Sequence, residues 1–508
     1  MSAKAIMVQG TASSVGKSTL VTALCRIFRQ DGWNVAPFKA QNMSLNSFVT
    51  RDGKEMGRAQ VVQAEAACVE PAVEMNPILL KPESDNRSQV VVMGRPLKGV
   101  AAQEYYALTD HLWSVVTESL ESLLSQYDLV VIEGAGSPVE VNLKDRDIVN
   151  MRVALHCTAP VLLVADIDRG GVFASVVGTL ELLEPEERAL VKAIVINKFR
   201  GDLSLLKPGL DWLEQRTGIP VAGVIPYYHD IHIAEEDSVS LERRHLLKTK
   251  SSYLLDIAVI GLPPISNFDD FDPLEQESGV RLRYVEANDE LGTPDLVILP
   301  GTKSTIADLE YLKRTGLAGK IVTLARSGVP VIGICGGYQM LGEVISDPEH
   351  VESAKSEVRG LELLPVTTVF LATKSTHQVR GFVAQGQGLL KKAKGLPITG
   401  YEIHMGQTIG ESIGAPWVIN ERSQRPCEDV DGCYGMEGNV IGTYVHGLFH
   451  NQGLRRSILE ELAARKGVEL GPWAKVVSKE EEYDNLAALV RTSLDIDLIY
   501  RTIWNVGK

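Results

Sequence analysis

Cysteine is scarce in this sequence, with six residues among 508, and no two of them are spaced as Cys-x-x-Cys. This scarcity excludes a scaffold held by disulfides and a zinc site of the paired-cysteine kind. The sequence also lacks the run of about 18 apolar residues that a membrane-spanning helix needs. Its start, MSAKAIMVQG, leads directly into a glycine-rich loop, which is typical of a first β-strand rather than of a signal peptide. We therefore expect a cytoplasmic protein.

Positive charge is in deficit, because 51 lysines and arginines stand against 65 acidic residues and the net charge is -14. Broad nucleic-acid binding is excluded, since it requires a basic surface that displaces counterions from phosphates. An anionic ligand must instead be bound by local basic groups. At 508 residues, with 44% hydrophobic and 23% charged residues, the chain is expected to fold into two or three domains.

Apolar runs of strand length recur between helix-compatible stretches in two series. Runs without polar alternation are typical of strands buried on both faces of a parallel sheet. A charged segment at 231–252 separates the series, which predicts two doubly wound α/β domains with mostly parallel sheets, at 1–230 and 253–508, joined by a linker. The last 60 residues are predicted to be helices that close the second domain. The runs are AIMVQG (5–10), DLVVIEG (128–134), PVLLVADID (160–168), KAIVINKF (192–199) and PVAGVIPY (220–227), then LLDIAVIGL (254–262), RLRYV (281–285), DLVILPG (295–301), PVIGICGG (330–337) and NVIGTYVHG (439–447).

The segment GTASSVGKST (10–19) follows the first predicted strand and precedes a helical pattern, which is the setting of a phosphate-binding loop. In such a loop, backbone N–H groups and the helix N-terminus hold phosphate oxygens, Lys17 reaches the outer phosphates and Ser18 can bind magnesium. The first glycine lies one residue earlier than in the strict GxxxxGK[ST] pattern, and the loop resembles that of dethiobiotin synthetase. A glycine-rich turn with a chance lysine is the alternative. The predicted ATP-binding residues of this P-loop NTPase-like domain are Gly10, Thr11, Gly16, Lys17, Ser18 and Thr19.

Three further residues at predicted strand ends are candidates for the same nucleotide site. Glu133, at the end of a run, can bind Mg2+ together with Ser18, although a carboxylate that only caps a turn is the alternative. Lys39, in PFKAQNMSLNS, can stabilise a carboxylate during its phosphorylation, or it is an exposed surface lysine. Asn197, in KAIVINKF, can recognise the adenine edge, or it forms a turn.

A cysteine and a histidine in the second series predict a glutaminase. Cys335 lies between a buried strand and a helical run in GVPVIGICGGYQMLG, an arrangement that exposes a nucleophile, lets N–H groups such as that of Gly336 bind an oxyanion, and favours a thiolate. His446 ends another predicted strand and is the candidate general base. A core thiol and a structural histidine are the alternatives.

An ammonia source and an ATP site have one purpose in common. A carboxylate is a poor electrophile, and its phosphorylation creates a leaving group that ammonia can displace. The two predicted sites together therefore indicate an enzyme that converts carboxylates to amides.

Long segments throughout the chain resemble the cobyric acid synthase family. They are PFKAQNMSLNS (37–47), EMGRAQ (55–60), MNPILLKP (75–82), VIEGAGSPVEVNL (131–143), VADIDRGGVFAS (164–175), INKFRGD (196–202), SNFDDFDP (266–273), LPGTKSTIADL (299–309), GICGGYQMLG (333–342) and GYEIHMG (400–406). The resemblance implies a dethiobiotin synthetase-like P-loop domain and a class I glutamine amidotransferase domain, in which Gly301 completes the oxyanion hole. Related triad enzymes carry His-Pro-Glu, but here Gly447 and Leu448 follow His446, so a third triad member is absent or comes from another segment.

The resemblance also implies the substrates. They are ATP with Mg2+, glutamine, and adenosylcobyrinic acid a,c-diamide, whose b, d, e and g carboxylates would be amidated to give adenosylcobyric acid; no permanently bound cofactor, nucleic acid or membrane partner is expected. Four basic residues, which are alternatively surface charges, can meet such a polycarboxylate: Lys39, Lys81, Arg87 and Arg95.

Two other functions remain as alternatives. Cobyrinic acid a,c-diamide synthase shares both domain types and acts on the a and c carboxylates, but QNMSLNS and SNFDDFDP favour the later enzyme. A deviant P-loop partitioning ATPase would carry a lysine five residues before Lys17, where this chain has Ala12, and needs no glutaminase.

Overall fold

The computed structural model describes residues 4–84, 87–97, 100–101, 108–228, 231, 253–263, 265–410, 414–471 and 477–504. The chain divides into two compact units. The first contains Met1–Ser44, Met56–Glu236 and Val477–Lys508, and the second contains Leu45–Glu55 and Asp237–Val476. The linker predicted at 231–252 lies outside the described residues except for Ile231.

The first unit is built on a parallel sheet of six strands, of which five are the apolar runs of the first series and the sixth, Val35–Phe38, was not among those runs. Every strand pairs in parallel with its neighbours, and the central strands have no exposed residue. Successive strands therefore require crossover helices on the two faces. Across the sheet the order is Val221–Pro226, Val191–Phe199, Val161–Asp166, Lys4–Gly10, Leu129–Glu133 and Val35–Phe38.

Helices cover this sheet, and a smaller sheet accompanies it. The small sheet comprises Gln41–Met43, Ile78–Ser84, Arg87–Val92, Arg95–Pro96 and Val100–Ala101. The helices are Lys17–Gln30, Arg58–Ala66, Thr109–Gln126, Met151–Cys157, Val172–Leu182, Pro185–Leu190, Leu203–Thr217, Lys479–Ser493 and Ile496–Trp504, with 3-10 turns at Val73–Met75 and Val141–Arg146.

The last two helices correct the predicted domain assignment. Leu486, Val490 and Ile499 are buried in the same apolar core as Leu24 and Phe28 of the first unit. The prediction that the last helices close the second domain is therefore wrong for residues 477–504. A helical apolar pattern shows that one face is buried, but it does not say which sheet covers that face.

The second unit has its own doubly wound sheet. The order is Val280–Val285, Leu255–Ile260, Leu296–Leu299, Val331–Ile334, Val440–Thr443 and Cys433–Gly435, in which all pairs are parallel except the last. Its helices are Asp272–Glu275, Thr305–Thr315, Leu317–Arg326, Gly336–Leu341 and Gln452–Lys466, with 3-10 turns at Phe268–Phe271, Gly388–Leu390, Met436–Gly438 and Leu448–His450. Two doubly wound α/β domains with mostly parallel sheets are thus confirmed.

A largely antiparallel sheet in the second unit was not predicted. It contains two long strands, Val366–Val383 and Pro397–Gly410, that pair with each other. Many of their residues are half-buried, and polar and apolar residues are mixed along each strand. Its other strands are Val344–Ser346, Glu357–Arg359, Trp417–Arg422 and Arg425–Asp431, and a separate hairpin is formed by Ser47–Val49 and Glu55–Gly57. Among the described residues, no helix combines the length and the apolar character needed to cross a bilayer.

Candidate active sites

The phosphate loop of the first unit begins where the central strand ends at Gly10. Gly16 has φ 101°, in the left-handed region, and a Cβ there would lie 2.1 Å from Asn197 Nδ2. Only glycine fits both this conformation and this close approach. The helix that follows starts at Lys17 and contains Ser18 and Thr19 in its first turn.

Lys17 lies inside the loop rather than in solvent. Its Nζ donates to the carbonyl oxygens of Ala12 at 3.0 Å and Gly136 at 3.1 Å. The Thr11 N–H donates to Val164 O at 3.0 Å, so this part of the loop is tied to the neighbouring strand. The ammonium is thereby held among backbone groups where the phosphates of a nucleotide would lie.

Glu133 is the centre of a buried polar cluster at the carboxyl edge of the same sheet. Its carboxylate has no exposed surface, and Oε1 accepts from Ser18 Oγ and Lys39 Nζ, each at 2.8 Å. The other oxygen, Oε2, accepts from Gln63 Nε2 at 2.5 Å. One carboxylate and one hydroxyl beside a phosphate loop form a ligand set that suits Mg2+ bound together with phosphates. Burial and the charge of Glu133 both raise the pKa of the Cys25 thiol, so Cys25 is a neutral core residue.

The remaining residues predicted for this unit differ in their hydrogen bonding and in their exposure to solvent. Asn197 Nδ2 donates to Val15 O at 2.8 Å, so the structure places it under the loop backbone, and its proposed contact with adenine stays a prediction. Lys39 and Lys81 are buried, whereas Arg95 is exposed. The side chain of Arg87 lies outside the described residues.

In the second unit, Cys335 sits on a strained turn between a strand and a helix. It has φ 52° and ψ −109°, which is unusual for a residue with a side chain. Its N–H donates to Thr443 O at 2.8 Å, and its Sγ lies 3.6 Å from Ile403 O. This is the geometry that projects a nucleophile from the end of a buried strand.

His446 and Asp270 complete a triad with this cysteine. His446 Nδ1 donates to Asp270 Oδ2 at 2.7 Å, and the Gly447 N–H donates to Asp270 Oδ1 at 2.7 Å. Cys335 is a hydrogen-bond partner of the same imidazole, and Nε2 is the nitrogen left for it. Burial lowers the pKa of His446, but the charges and hydrogen bonds of Asp270 and Cys335 outweigh it and raise that pKa to about 10.

The two predicted oxyanion residues lie beside this triad. A Cβ on Gly301 would lie 2.8 Å from His446 Cε1, and a Cβ on Gly336 would lie 2.7 Å from Thr302 Cγ2 and 3.2 Å from Thr302 N. Thr302 therefore lies against the residue that follows Cys335, and a side chain on Gly301 would collide with His446. This arrangement can bring backbone N–H groups to a developing oxyanion.

Sequence reasoning missed Asp270 and Gln63. The segment SNFDDFDP was recognised only as a family match, although Asp269 and Asp270 are buried carboxylates. The signal that could have found Asp270 is two adjacent acids between phenylalanines, because acidic residues are seldom buried unless they are paired. Gln63 lies on the helix Arg58–Ala66 and gave no signal of its own.

Comparison with known proteins assigns both units. Residues 6–241 match the family described as the CobQ/CobB/MinD/ParA nucleotide binding domain, and residues 256–454 match the CobB/CobQ-like glutamine amidotransferase domain. Curated relatives named cobyric acid synthase are 53% identical over 507 residues in Dehalococcoides mccartyi, covering 99% of each chain, and 54% identical over 517 residues in Sorangium cellulosum, again covering 99% of each. A third, from Pelotomaculum thermopropionicum, is 54% identical and covers 98% of this chain and 96% of its own. The chain therefore belongs to the cobyric acid synthase family.

Proposed function

We propose that this enzyme uses ATP and glutamine to amidate the b, d, e and g carboxylates of adenosylcobyrinic acid a,c-diamide, giving adenosylcobyric acid. The observation that carries the proposal is the presence, in one chain, of a Cys335–His446–Asp270 triad and of a phosphate loop beside the Glu133–Lys39 pair. The curated names of the full-length relatives support the corrinoid product.

Glutamine hydrolysis is assigned to the second unit. His446 Nε2 takes the proton of the Cys335 thiol as general base, and the sulfur attacks the side-chain amide of glutamine as a thiolate. The oxyanion is held by N–H groups of the Gly301 and Gly336 segments. His446 then protonates the departing ammonia, and water hydrolyses the thioester to glutamate. Asp270 holds the imidazole in place throughout.

Carboxylate activation is assigned to the first unit. The loop Gly10–Thr19, with Lys17, holds the ATP phosphates, and Asn197 supports the loop from below. Ser18 and Glu133 would hold Mg2+, which neutralises phosphate charge. Lys39, buried against Glu133, stabilises the negative charge that is shared between the γ-phosphoryl group and the attacking carboxylate. Ammonia displaces phosphate from the resulting acyl phosphate, and the amide forms.

Mass spectrometry of the corrinoid tests this assignment. Incubation of adenosylcobyrinic acid a,c-diamide with the enzyme, MgATP and glutamine should give four successive conversions of carboxylate to amide. Cobyrinic acid serves as the comparison substrate. If cobyrinic acid is amidated twice and the a,c-diamide is not amidated at all, the protein catalyses the earlier diamide synthase reaction and the proposal is refuted.

A further inference from the structure

A short stretch of chain, residues 45–55, belongs to the second unit although its flanking residues in sequence belong to the first. It forms the strand Ser47–Val49 and a turn in which the Thr50 N–H donates to Lys54 O at 2.8 Å. Ser47 and Val49 have no exposed surface. The segment is therefore an integral part of the packing of the second unit rather than an external loop.

The first contact of this segment reaches His446 through Asn267. The Ser47 N–H donates to Asn267 Oδ1 at 3.0 Å, which fixes the orientation of the amide because a backbone N–H can only donate. Asn267 Nδ2 consequently faces His446 Nε2 at 3.4 Å. A donor in this position can bond only to an unprotonated Nε2, so the contact favours the form of the imidazole that can accept the proton of the Cys335 thiol.

The second contact reaches His446 through Tyr401. The rings of Phe48 and Tyr401 lie 5.7 Å apart, and the Tyr401 ring stacks on the His446 imidazole at 5.2 Å with an interplanar angle of 16°. Val49, Tyr401 and Ile403 form one buried apolar cluster, and Ile403 O is the carbonyl next to Cys335 Sγ. Both members of the catalytic pair are thus in contact with residues that the segment supports.

Two anchors hold the segment in register with the long antiparallel strands. Gln378 Nε2 donates to Val49 O at 2.9 Å, and Glu55 forms a buried ion pair with Lys374. Loss of either partner of a buried ion pair would leave an unpaired charge away from water, which strongly destabilises the fold. The ion pair therefore fixes the end of the segment at Glu55.

We propose that residues 45–55 are a positioning segment for the glutaminase: Ser47 orients Asn267, Phe48 supports Tyr401, and these two hold His446 on Cys335. The inference rests on the proposed function of Cys335 and His446. It assigns positioning roles to Phe48, Asn267 and Tyr401, which belong neither to the triad nor to the phosphate loop.

Glutamate release tests the two contacts separately, with the full-length enzyme. Phe48→Ala should lower the glutaminase kcat about tenfold with little change in the KM for glutamine, because misplacement of a catalytic group acts on the chemical step. Phe48→Leu, which keeps most of the apolar volume, should recover part of the loss, and it decides the matter if Phe48→Ala does not fold. Lys54→Ala is the control, since it removes only an ion pair with the exposed Asp52 at the turn.

Asn267→Asp keeps the shape of the side chain and places a carboxylate oxygen against His446 Nε2. Asn267 has φ 54°, which Asp also tolerates, so the backbone should not change. The new acceptor competes with Cys335 for the proton and should lower kcat about tenfold, while the upper pKa of the glutaminase pH profile rises by about one unit or more. A purely structural role would lower stability and leave that pKa unchanged.

Amidation driven by ammonium chloride separates this inference from the proposed function. If the segment acts as inferred, Phe48→Ala and Asn267→Asp retain ammonium-driven amidation within about twofold of the parent enzyme. Unchanged glutamate release in both variants, or an equal loss of both activities, would overturn the positioning role. Absence of ammonium-driven amidation in the parent enzyme would instead refute the proposed function and leave the glutaminase result standing.

Discussion

Asp270 is the residue whose removal tests the site most sharply. Asp270→Asn keeps the shape of the side chain but removes the charge that faces His446 Nδ1 across 2.7 Å, at a place where both side chains are 1% exposed. Burial alone lowers the pKa of His446, and Asp270 is the first of the groups that raise it to about 10. In the variant this pKa should fall, and the imidazole is then a weaker base toward the Cys335 thiol.

The magnitude follows from the bonds that are lost. A charge-assisted hydrogen bond contributes roughly 1.5–3 kcal/mol, which is about 10- to 150-fold in rate. Replacing the aspartate of a serine protease triad by asparagine lowers kcat by about 10⁴, because the imidazole then adopts the wrong tautomer. Since the amide introduced by Asp270→Asn can likewise donate to Nδ1, we expect a loss of about 10²–10³ in glutaminase kcat/KM.

Glutamate release measured across the pH range is the assay, and Asp269→Asn is the matched control. The structure gives His450 a bond to the main-chain oxygen of Asp269, which this substitution leaves in place. Ammonium-driven amidation should persist in Asp270→Asn. A fall in glutamate release of less than about threefold would refute the triad, as would an equal effect of the two substitutions.

Three further substitutions examine the other parts of the account. Cys335→Ala should abolish glutamate release and glutamine-dependent amidation but preserve amidation with ammonium chloride; equal loss of both would contradict separate half-reactions. Lys17→Ala should remove amidation from either nitrogen source while some glutamine hydrolysis remains, and intact ammonium-driven amidation would exclude the phosphate loop from the mechanism. Leu486→Ala should destabilise the first unit by about 2–4 kcal/mol, because Leu486 is 1% exposed in that core. The loss would be measured as a lower urea midpoint for the loss of ammonium-driven amidation. An unchanged midpoint would contradict the placement of the last helices.

Local sequence patterns predicted the parts of this protein that depend on neighbours in the chain. The strand, loop and helix around Lys17 and around Cys335 are each contained in a short stretch of sequence, so periodicity and glycine placement were enough. His446 followed from the same logic, since it ends a strand of the second series.

The residues that were missed depend on distant parts of the chain. Asp270 precedes His446 by 176 positions, and its role is visible only when the 3-10 turn Phe268–Phe271 is folded against the strand end. Tyr401 and Ile403 lie on the long strand Pro397–Gly410, which mixes polar and apolar residues without regular alternation and so gives no strand pattern. Residues 477–504 showed helical periodicity, but the choice between two sheets was made by tertiary packing.

Isotope transfer tests the central claim, that one chain releases ammonia from glutamine and places it on corrinoid carboxylates. The enzyme would be incubated with MgATP, adenosylcobyrinic acid a,c-diamide and glutamine labelled with 15N at the amide, and the corrinoid analysed by mass spectrometry. With the parent enzyme, the account predicts 15N in each new amide. With Cys335→Ala, incubated with the labelled glutamine and with unlabelled ammonium, it predicts that every new amide is unlabelled. Release of 15N-labelled ammonia into solution with no 15N in the corrinoid would contradict it.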